Sequence, residues 1–152
     1  MVKKGDKAPD FRLKGNDGRI HSLADFKGKY LVLYFYPRDM TPGCTIEANN
    51  FNKRLGELKR LKAEVVGVSN DSIEKHGKFA TKCDLKFLLL SDESNKTMKA
   101  YGAYGSRGVF GIGTLRNTYV IKDAKVLQAF EKVNAMRHVD EVVEFLSHAS
   151  GK

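Results

Sequence analysis

Apolar residues follow two alternating patterns along this chain. Largely apolar runs, typical of strands buried on both faces, occur at 30–36, 64–69 and 87–90. Between these runs, apolar residues recur three or four positions apart, as they do on the buried face of a helix. The alternation predicts an α/β protein in which helices flank a central mixed sheet.

The helical pattern appears four times, and capping residues locate several helix ends. One helix follows Thr41 and carries Ala48, Phe51, Leu55 and Leu58 on one face. A second is expected from the N-cap Asp71, with Glu74 three residues later, to about Lys82. The other two are expected at 94–101, ending at Gly102, and around Val139, Val142, Val143 and Leu146.

Period-two segments separated by turn residues predict two hairpins. The N-terminal hairpin pairs 11–13 with 19–21 across Asn16-Asp17-Gly18, and the C-terminal one pairs 119–121 with 126–130. Between them, the segment from Gly102 to Gly113 contains glycines at 102, 105, 108, 111 and 113. Their spacing matches no phosphate-binding loop, so we expect a flexible loop beside the functional site, with Phe110 covering it.

Length and composition indicate an ordinary globular protein. The 152 residues, 41% hydrophobic and 30% charged, predict a single domain over 1–152. No apolar run approaches the roughly 20 residues that span a bilayer, and the N-terminus lacks the apolar stretch of a secretory signal. Two cysteines do not suggest a disulfide scaffold. We therefore expect a cytoplasmic location, no membrane association, and a monomer or weak dimer.

The formal net charge is +9, and basic residues cluster at 53–54 and 59–62. On a helix, such a cluster forms a solvated face, and no nucleic-acid-binding motif or interleaved aromatic residues accompany it. We expect no specific nucleic-acid binding. The four histidines are scattered without the spacing of a metal site, so neither a metal nor another cofactor is expected.

The residues with the clearest catalytic potential lie where the first long apolar run is followed by the first predicted helix. Thr41 suits the N-cap and Pro42 the first helical position, which makes Cys44 the third residue of the helix. Unpaired backbone N–H groups and the positive end of the helix dipole then face the sulfur and favour the thiolate, the nucleophilic form. Glu47 follows on the same helical face.

The segment from Tyr36 to Ala48, with Phe51 beyond it, resembles the peroxidatic-cysteine motif of the Q-type peroxiredoxins, also called bacterioferritin comigratory proteins. Three weaker likenesses follow in the family's order, at 5–11, 88–92 and 115–121. The resemblance covers nearly the whole chain. It implies a thioredoxin-like fold and a thiol-dependent peroxidase that reduces hydrogen peroxide or organic hydroperoxides through a cysteine sulfenic acid.

The resemblance also implies site residues and partners. Cys44 corresponds to the peroxidatic cysteine, and Pro37, Thr41 and Arg116 match the remaining active-site positions. The planar guanidinium of Arg116 would stabilise the thiolate and bind the peroxide. The reductant would be a thioredoxin-like protein or another thiol.

The second cysteine is where the chain departs from many Q-type members, which carry a resolving cysteine five residues after the peroxidatic one. Asn49 stands there. Other members carry the resolving cysteine on the later helix, where Cys83 falls, and we expect Cys83 to resolve. A one-cysteine enzyme that uses an external thiol stays open, as does a buried, purely structural Cys83.

Two other functions fit parts of the sequence. A thioredoxin-like fold suits a dithiol oxidoreductase, but Thr45-Ile46-Glu47 follow Cys44, so the Cys-x-x-Cys pair is missing. A stress-related binding protein, either a polyanion binder or a holdase chaperone, suits the basic charge. Consumption of peroxide through Cys44 separates the peroxidase from both.

Overall fold

The structure, a computed structural model, describes residues 2–149. Its centre is a seven-stranded mixed sheet in the order β2-β1-β5-β4-β3-β8-β9. The strands are β1 Leu13–Gly15, β2 Ile20–His21, β3 Tyr30–Phe35, β4 Ala63–Ser69, β5 Leu88–Ser91, β8 Thr118–Lys122 and β9 Lys125–Phe130. Strands β3, β4 and β5 run parallel, whereas β8 pairs antiparallel with β3. A separate hairpin joins β6 Tyr104–Ser106 to β7 Ile112–Thr114.

Five α-helices connect or flank these strands within residues 2–149. They are α1 Pro42–Lys53, α2 Leu55–Arg60, α3 Ile73–Cys83, α4 Lys96–Tyr101 and α5 His138–Ala149. Short 3-10 turns occupy Leu23–Phe26 and Gly108–Phe110. None of the described helices is long and apolar enough to cross a bilayer. The mixed sheet, the flanking helices and the existence of the two predicted hairpins are confirmed; the first strand of the N-terminal hairpin is Leu13–Gly15, two residues later than the predicted 11–13.

Three local predictions differ from the structure. The expected single helix through Leu58 is divided at Arg54, whose backbone leaves the helical conformation with φ of −101° and ψ of 8° and whose guanidinium pairs with Glu57 and Asp140. The N-cap of α3 is Ser72, whose hydroxyl accepts from the Lys75 amide, one residue later than predicted. The glycine-rich segment forms the β6–β7 hairpin, because the small residues allow a tight antiparallel pair.

The sheet separates two apolar clusters, and its central strand β3 serves both. Val32 and Tyr34 point to the cluster beneath α1, α3 and α5, while Leu33 and Phe35 point to the opposite cluster. Alternate side chains of a strand point to opposite faces, so an entirely apolar strand buries both. This burial fixes the carboxyl end of β3, from which the chain enters α1.

Candidate active site

The start of α1 places Cys44 as the sequence predicts. Thr41 is the N-cap with extended backbone, Pro42 is the first helical residue, and Cys44 is the third. The Thr41 hydroxyl does not cap the helix; it donates to the Arg38 carbonyl at 2.8 Å. Its oxygen therefore faces the site as an acceptor, and the first backbone N–H groups of α1 are not occupied by a capping side chain.

Arg116 reaches the sulfur from the segment between β7 and β8. Its Nη2 donates to Sγ of Cys44 at 3.3 Å. A Cβ on residue 43 would lie 3.2 Å from the same Nη2, so Gly43 leaves room for the guanidinium. Cys44 is 1% exposed, which leaves its sulfur little water to compete with the cation.

Glu47, one helical turn after Cys44, holds the other side of the guanidinium. Arg116 Nη1 donates to Glu47 Oε1 at 2.6 Å. Burial raises the pKa of Glu47 to about 7, although the Arg116 charge opposes this. Burial lowers the pKa of Arg116, but Glu47 and Cys44 outweigh it and hold that pKa above its usual value. Glu47 Oε2 has no hydrogen-bond partner among the described residues.

The predicted residues Pro37, Thr41, Cys44 and Arg116 line one open cavity of about 640 Å³. The β6–β7 hairpin supplies its opposite wall, with Arg107, Phe110 and Ile112. The hairpin borders the site as predicted. Phe110, however, is 76% exposed at the rim, where the Arg107 guanidinium lies 5.6 Å from its ring centre, and does not cover the sulfur.

Cys83, the fifth predicted residue, lies away from this cavity. It is the last residue of α3, and the chain just beyond it contacts the far end of α1: Asn52 donates to the Asp84 carbonyl at 2.9 Å and accepts from the Lys86 amide at 2.8 Å. Cys44 and Asn52 are separated by eight residues of helix, or about 12 Å at 1.5 Å per residue. Both cysteines are free thiols.

A buried polar network beside the loop that leads into α1 was not predicted from the sequence. Asp39 accepts from the Tyr36 hydroxyl and lies 2.6 Å from Nδ1 of His76, whose Nε2 donates to the Leu90 carbonyl at 2.8 Å. Asp39 and His76 are fully or almost fully buried. The available signal was His76 itself, three residues before Phe79 on the apolar face of α3.

Asp39, His76 and Asp71 also bring ligand atoms within 4.8 Å of one another, close enough to suggest a cation site. Their facing atoms are already paired: Asp71 accepts from the Asp39 amide at 2.7 Å and from the Ser69 hydroxyl at 2.8 Å. The arrangement is that of a satisfied internal network.

Comparisons with known proteins agree with this geometry. The family model of the AhpC/TSA family matches residues 4–130. Peroxiredoxin Bcp of Bacillus subtilis is 44% identical over 99% of both chains. Peroxiredoxin Q of the Sedum lineare chloroplast is 44% identical over 95% of this chain and 78% of its own.

Solved structures give the same result for the fold. A mutant of PrxQ from Xylella fastidiosa superposes with a TM-score of 0.93 at 31% identity, over 98% of both chains. The bacterioferritin comigratory protein of Xanthomonas campestris, described for its alkyl peroxide reduction activity, superposes with a TM-score of 0.88 at 33% identity, over 92% of both chains. These matches confirm the thioredoxin-like fold. The chain belongs to the AhpC/TSA family and, within it, to the Q-type (Bcp) peroxiredoxins, which are thiol-dependent peroxidases.

Proposed function

We propose that Cys44 is the nucleophile of this peroxidase and that Arg116 and Thr41 orient the peroxide in front of it. The observation that carries the proposal is the hydrogen bond from Arg116 Nη2 to the Cys44 sulfur, 3.3 Å long, at the floor of an open cavity. A fixed cation beside the sulfur stabilises the thiolate before the substrate arrives.

In the proposed reaction the Cys44 thiolate attacks one peroxide oxygen in line with the O–O bond. The S–O bond forms as the O–O bond breaks, the sulfur is oxidised by two electrons to a sulfenic acid, and the other oxygen takes a proton and leaves as water or alcohol. Arg116 donates toward the oxygen that gains negative charge. Thr41, whose proton is engaged by the Arg38 carbonyl, accepts from the peroxide O–H.

Pro37 and Glu47 support these groups. Pro37 lines the cavity, and its ring restricts the backbone of the loop between β3 and α1. Glu47 fixes one side of the Arg116 fork, which leaves Nη2 aimed at the sulfur. A lysine ammonium lacks the planar fork with which Arg116 contacts Glu47 through Nη1 and Cys44 through Nη2.

We propose that Cys83 resolves the sulfenic acid. The Cys83 sulfur attacks the Cys44 sulfur, a disulfide forms, the sulfenic oxygen leaves as water, and an external dithiol restores both thiols by exchange. Disulfides need Cα atoms within about 7 Å. The chain just beyond Cys83 contacts Asn52, about 12 Å along α1 from Cys44, so the bond requires a helix end to open, which helix termini do readily.

The cavity wall favours organic hydroperoxides among the possible substrates. Phe110 and Ile112 are 76% and 75% exposed and stand beside the Arg107 guanidinium. An alkyl chain would cover these apolar side chains, whereas hydrogen peroxide would not, so burial of their surface adds affinity only for the larger substrate. The relative from Xanthomonas campestris is described as reducing alkyl peroxides.

Mass spectrometry after one equivalent of peroxide, without reductant, tests the two-cysteine cycle. The expected product is an intramolecular Cys44–Cys83 disulfide, and the matched variant Cys83→Ser should stop at a Cys44 sulfenic acid that a dimedone-type reagent traps. A trapped sulfenic acid in the wild-type protein, with Cys83 still reduced, would establish a one-cysteine enzyme.

We further propose a thioredoxin-like reductant, a single domain over 1–152, a cytoplasmic location, and a monomer or weak dimer.

No role in specific nucleic-acid binding is proposed. In the basic cluster of α1 and α2, Arg54 is already paired with Glu57 at 2.8 Å and with Asp140. Retention on DNA should disappear as salt rises through the physiological range.

A further inference from the structure

Two acidic side chains at the start of α1 share a single buried cation. Arg116 donates from Nη2 to the Cys44 sulfur at 3.3 Å and from Nη1 to Glu47 Oε1 at 2.6 Å. Cys44 is 1% exposed, Glu47 is fully buried, and the Arg116 side chain is 17% exposed. We call Cys44, Glu47 and Arg116 the charge triad.

The charge of the triad limits how many protons its two acids can hold. With both the thiol and the carboxyl ionised, the triad would be negative in a place with little water, and an unbalanced buried charge is costly. With both protonated, the Arg116 cation would be left without an anion. The favoured state therefore has one proton on the pair, on either the sulfur or the carboxyl, as in other pairs of acids that share a site.

Glu47 has one oxygen free to carry that proton. Oε1 accepts from Arg116, whereas Oε2 is buried without a hydrogen-bond partner among residues 2–149. Burial raises the pKa of Glu47 to about 7, although the Arg116 charge opposes this. Oε2 can thus gain or lose a proton near neutral pH while Oε1 keeps its contact with Arg116.

The Tyr34 hydroxyl suits a carboxyl whose protonation changes. Tyr34 on β3 stacks on Phe51, one turn after Glu47, with ring centroids 4.7 Å apart. Its hydroxyl is also buried without a partner in the described part of the chain. Burial and, secondly, the Glu47 charge raise the pKa of Tyr34 well above its usual value, so the hydroxyl keeps its proton. Such a group can donate to a carboxylate and accept from a carboxylic acid.

The other titratable groups packed near Glu47 are either neutral or already paired. On α5, burial and, secondly, the Arg116 charge lower the pKa of His138 to about 4, so this side chain is uncharged near pH 7. In the loop before α1, Asp39 lies 2.6 Å from Nδ1 of His76 and faces that network. The exchangeable proton of this region therefore belongs to Glu47 and Cys44.

We propose that Cys44 and Glu47 share one proton across the Arg116 guanidinium, and that Glu47 holds this proton while Cys44 is the reactive thiolate. The proposal rests on Cys44 being the nucleophile. Activation converts the thiol and the carboxylate into a thiolate and a carboxylic acid. When the S–O bond forms and the O–O bond breaks, the departing oxygen takes up a proton and the carboxylic acid gives one up. The products are a sulfenic acid, water or alcohol, and the carboxylate, so the triad has no net charge at any stage.

A pH titration of the ultraviolet absorbance of the thiolate tests the sharing, with the Cys44→Ser signal subtracted to isolate Cys44. The wild-type signal should rise in two steps, because the thiolate forms first beside protonated Glu47 and completely only when the pair loses its last proton. Glu47→Gln cannot accept the proton and should show one step, at a lower pH than the second wild-type step. The pH profile of Cys44 oxidation in stopped flow should change in the same way.

Asp92→Asn is the matched control for the titration. Asp92 is another buried carboxylate, 1% exposed, and its oxygens accept from the amides of Thr97 and Met98 in α4 instead of from Arg116. This variant should keep both steps.

Infrared difference spectroscopy locates the proton at pH 8, above the Glu47 pKa of about 7. The C=O stretch of a protonated carboxylic acid should be present in the reduced wild-type protein and disappear after one equivalent of peroxide, a comparison that needs no variant. The band should be absent from Glu47→Gln. In Cys44→Ser it should be several-fold weaker, because no thiolate remains to keep the proton on the carboxyl.

A single step in the wild type, two steps in Glu47→Gln, or a carboxylic acid band that oxidation leaves unchanged would overturn the shared proton and leave Cys44 as the nucleophile. An equal loss of oxidation rate at every pH in Glu47→Gln would also overturn it, because Glu47 would then only orient Arg116. Peroxide turnover by folded Cys44→Ser would instead overturn the proposed function itself.

Discussion

Cys44 and Cys83 occupy opposite ends of their helices, and the contrast supports the proposal that Cys44 reacts with peroxide and Cys83 follows. Cys44 lies in the first turn of α1, where backbone N–H groups and Arg116 surround a buried sulfur. Cys83 is the last residue of α3, where the helix presents carbonyl groups, and it is partly exposed. The same side chain thus meets positive groups at one site and negative ones at the other.

The two sites also differ in how firmly the chain holds them. Cys44 follows the fully buried strand β3 and packs in the main apolar cluster. Cys83 precedes Asp84 in a strained left-handed conformation, next to exposed lysines. In the proposed cycle the peroxide-reducing centre needs fixed donors and the resolving thiol needs to move; Cys44 is enclosed in the core, whereas Cys83 lies at a helix end that Asn52 contacts through Asp84 and Lys86.

The largest difference between the two sites should appear when each cysteine sulfur is replaced by oxygen in turn. Cys44→Ser should abolish peroxide reduction, because a serine hydroxyl is a far poorer nucleophile near neutral pH. Cys83→Ser should keep the first oxidation and lose only the disulfide. Peroxide consumption in a coupled thiol assay, with circular dichroism as the fold control, measures both; turnover by folded Cys44→Ser would refute the assignment.

Removal of the cation at the Cys44 end should have the next largest effect. Arg116→Ala should slow oxidation of Cys44 by roughly 10²-fold, the scale of losing one charged transition-state donor. Arg116→Lys should recover little, because lysine cannot contact Glu47 and the sulfur in the same fork geometry. Stopped-flow oxidation rates provide the measurement.

Arg107→Ala is the control for Arg116, since it removes a charge from the same cavity without a hydrogen bond to the sulfur. We expect its rate with hydrogen peroxide to stay within a few-fold of wild type. Equal losses in the two variants would mean that the general positive field of the cavity matters and that the specific contact does not.

The sequence predicts the Cys44 half of this contrast much better than the Cys83 half. Local rules suffice for Thr41, Pro42 and Cys44, because capping and the fixed backbone of proline act between neighbours in the chain. Arg116 lies 72 residues beyond Cys44, and only family resemblance connected it to the sulfur.

Other features depended on tertiary contacts that periodicity does not encode. At the division between α1 and α2, Arg54 pairs with Asp140 on α5, 86 residues away in the sequence. The buried network of Tyr36, Asp39 and His76, with the Leu90 carbonyl, needs three separate segments to meet, so Asp39 and His76 look like ordinary loop and helix residues in the sequence. The sequence also contains no signal that the Oε2 atom of Glu47 is buried without a hydrogen-bond partner among the described residues.

Substitution of Thr41 should have a smaller effect and tests whether its hydroxyl oxygen contacts the peroxide beside Cys44. Thr41→Val keeps the shape but removes the acceptor oxygen, and it should slow Cys44 oxidation roughly tenfold, about the worth of one hydrogen bond. Thr41→Ser should retain most activity. Because the hydroxyl does not cap α1, the thermal midpoint should barely change in either variant; a large loss of stability in Thr41→Val would show a structural role instead.

The last prediction concerns pH and uses two buried groups near Arg116. Burial raises the pKa of Glu47 to about 7, from an ordinary 4.5, so the folded protein holds this proton more tightly than the unfolded chain. Stability therefore falls as pH rises from 4.5 to 7. Burial, and secondly the Arg116 charge, lowers the pKa of His138 from 6.5 to about 4, so its contribution is present above pH 6.5 and is lost as pH falls.

These two slopes oppose each other between pH 4.5 and 6.5, and the wild-type stability should be nearly flat there. Glu47→Gln removes the Glu47 contribution and leaves that of His138. The free energy of unfolding of this variant should then rise with pH by up to about 1.4 kcal/mol per pH unit, the limit for one proton. Urea unfolding at pH 5 and 6.5 measures the slope.

Asp84→Asn, beside Cys83, is the control: the Asp84 side chain is 80% exposed, and its replacement should leave the pH profile of stability flat. A flat profile in Glu47→Gln would mean that Glu47 and His138 do not oppose each other, and that the Cys44 end is no more sensitive to pH than the Cys83 end.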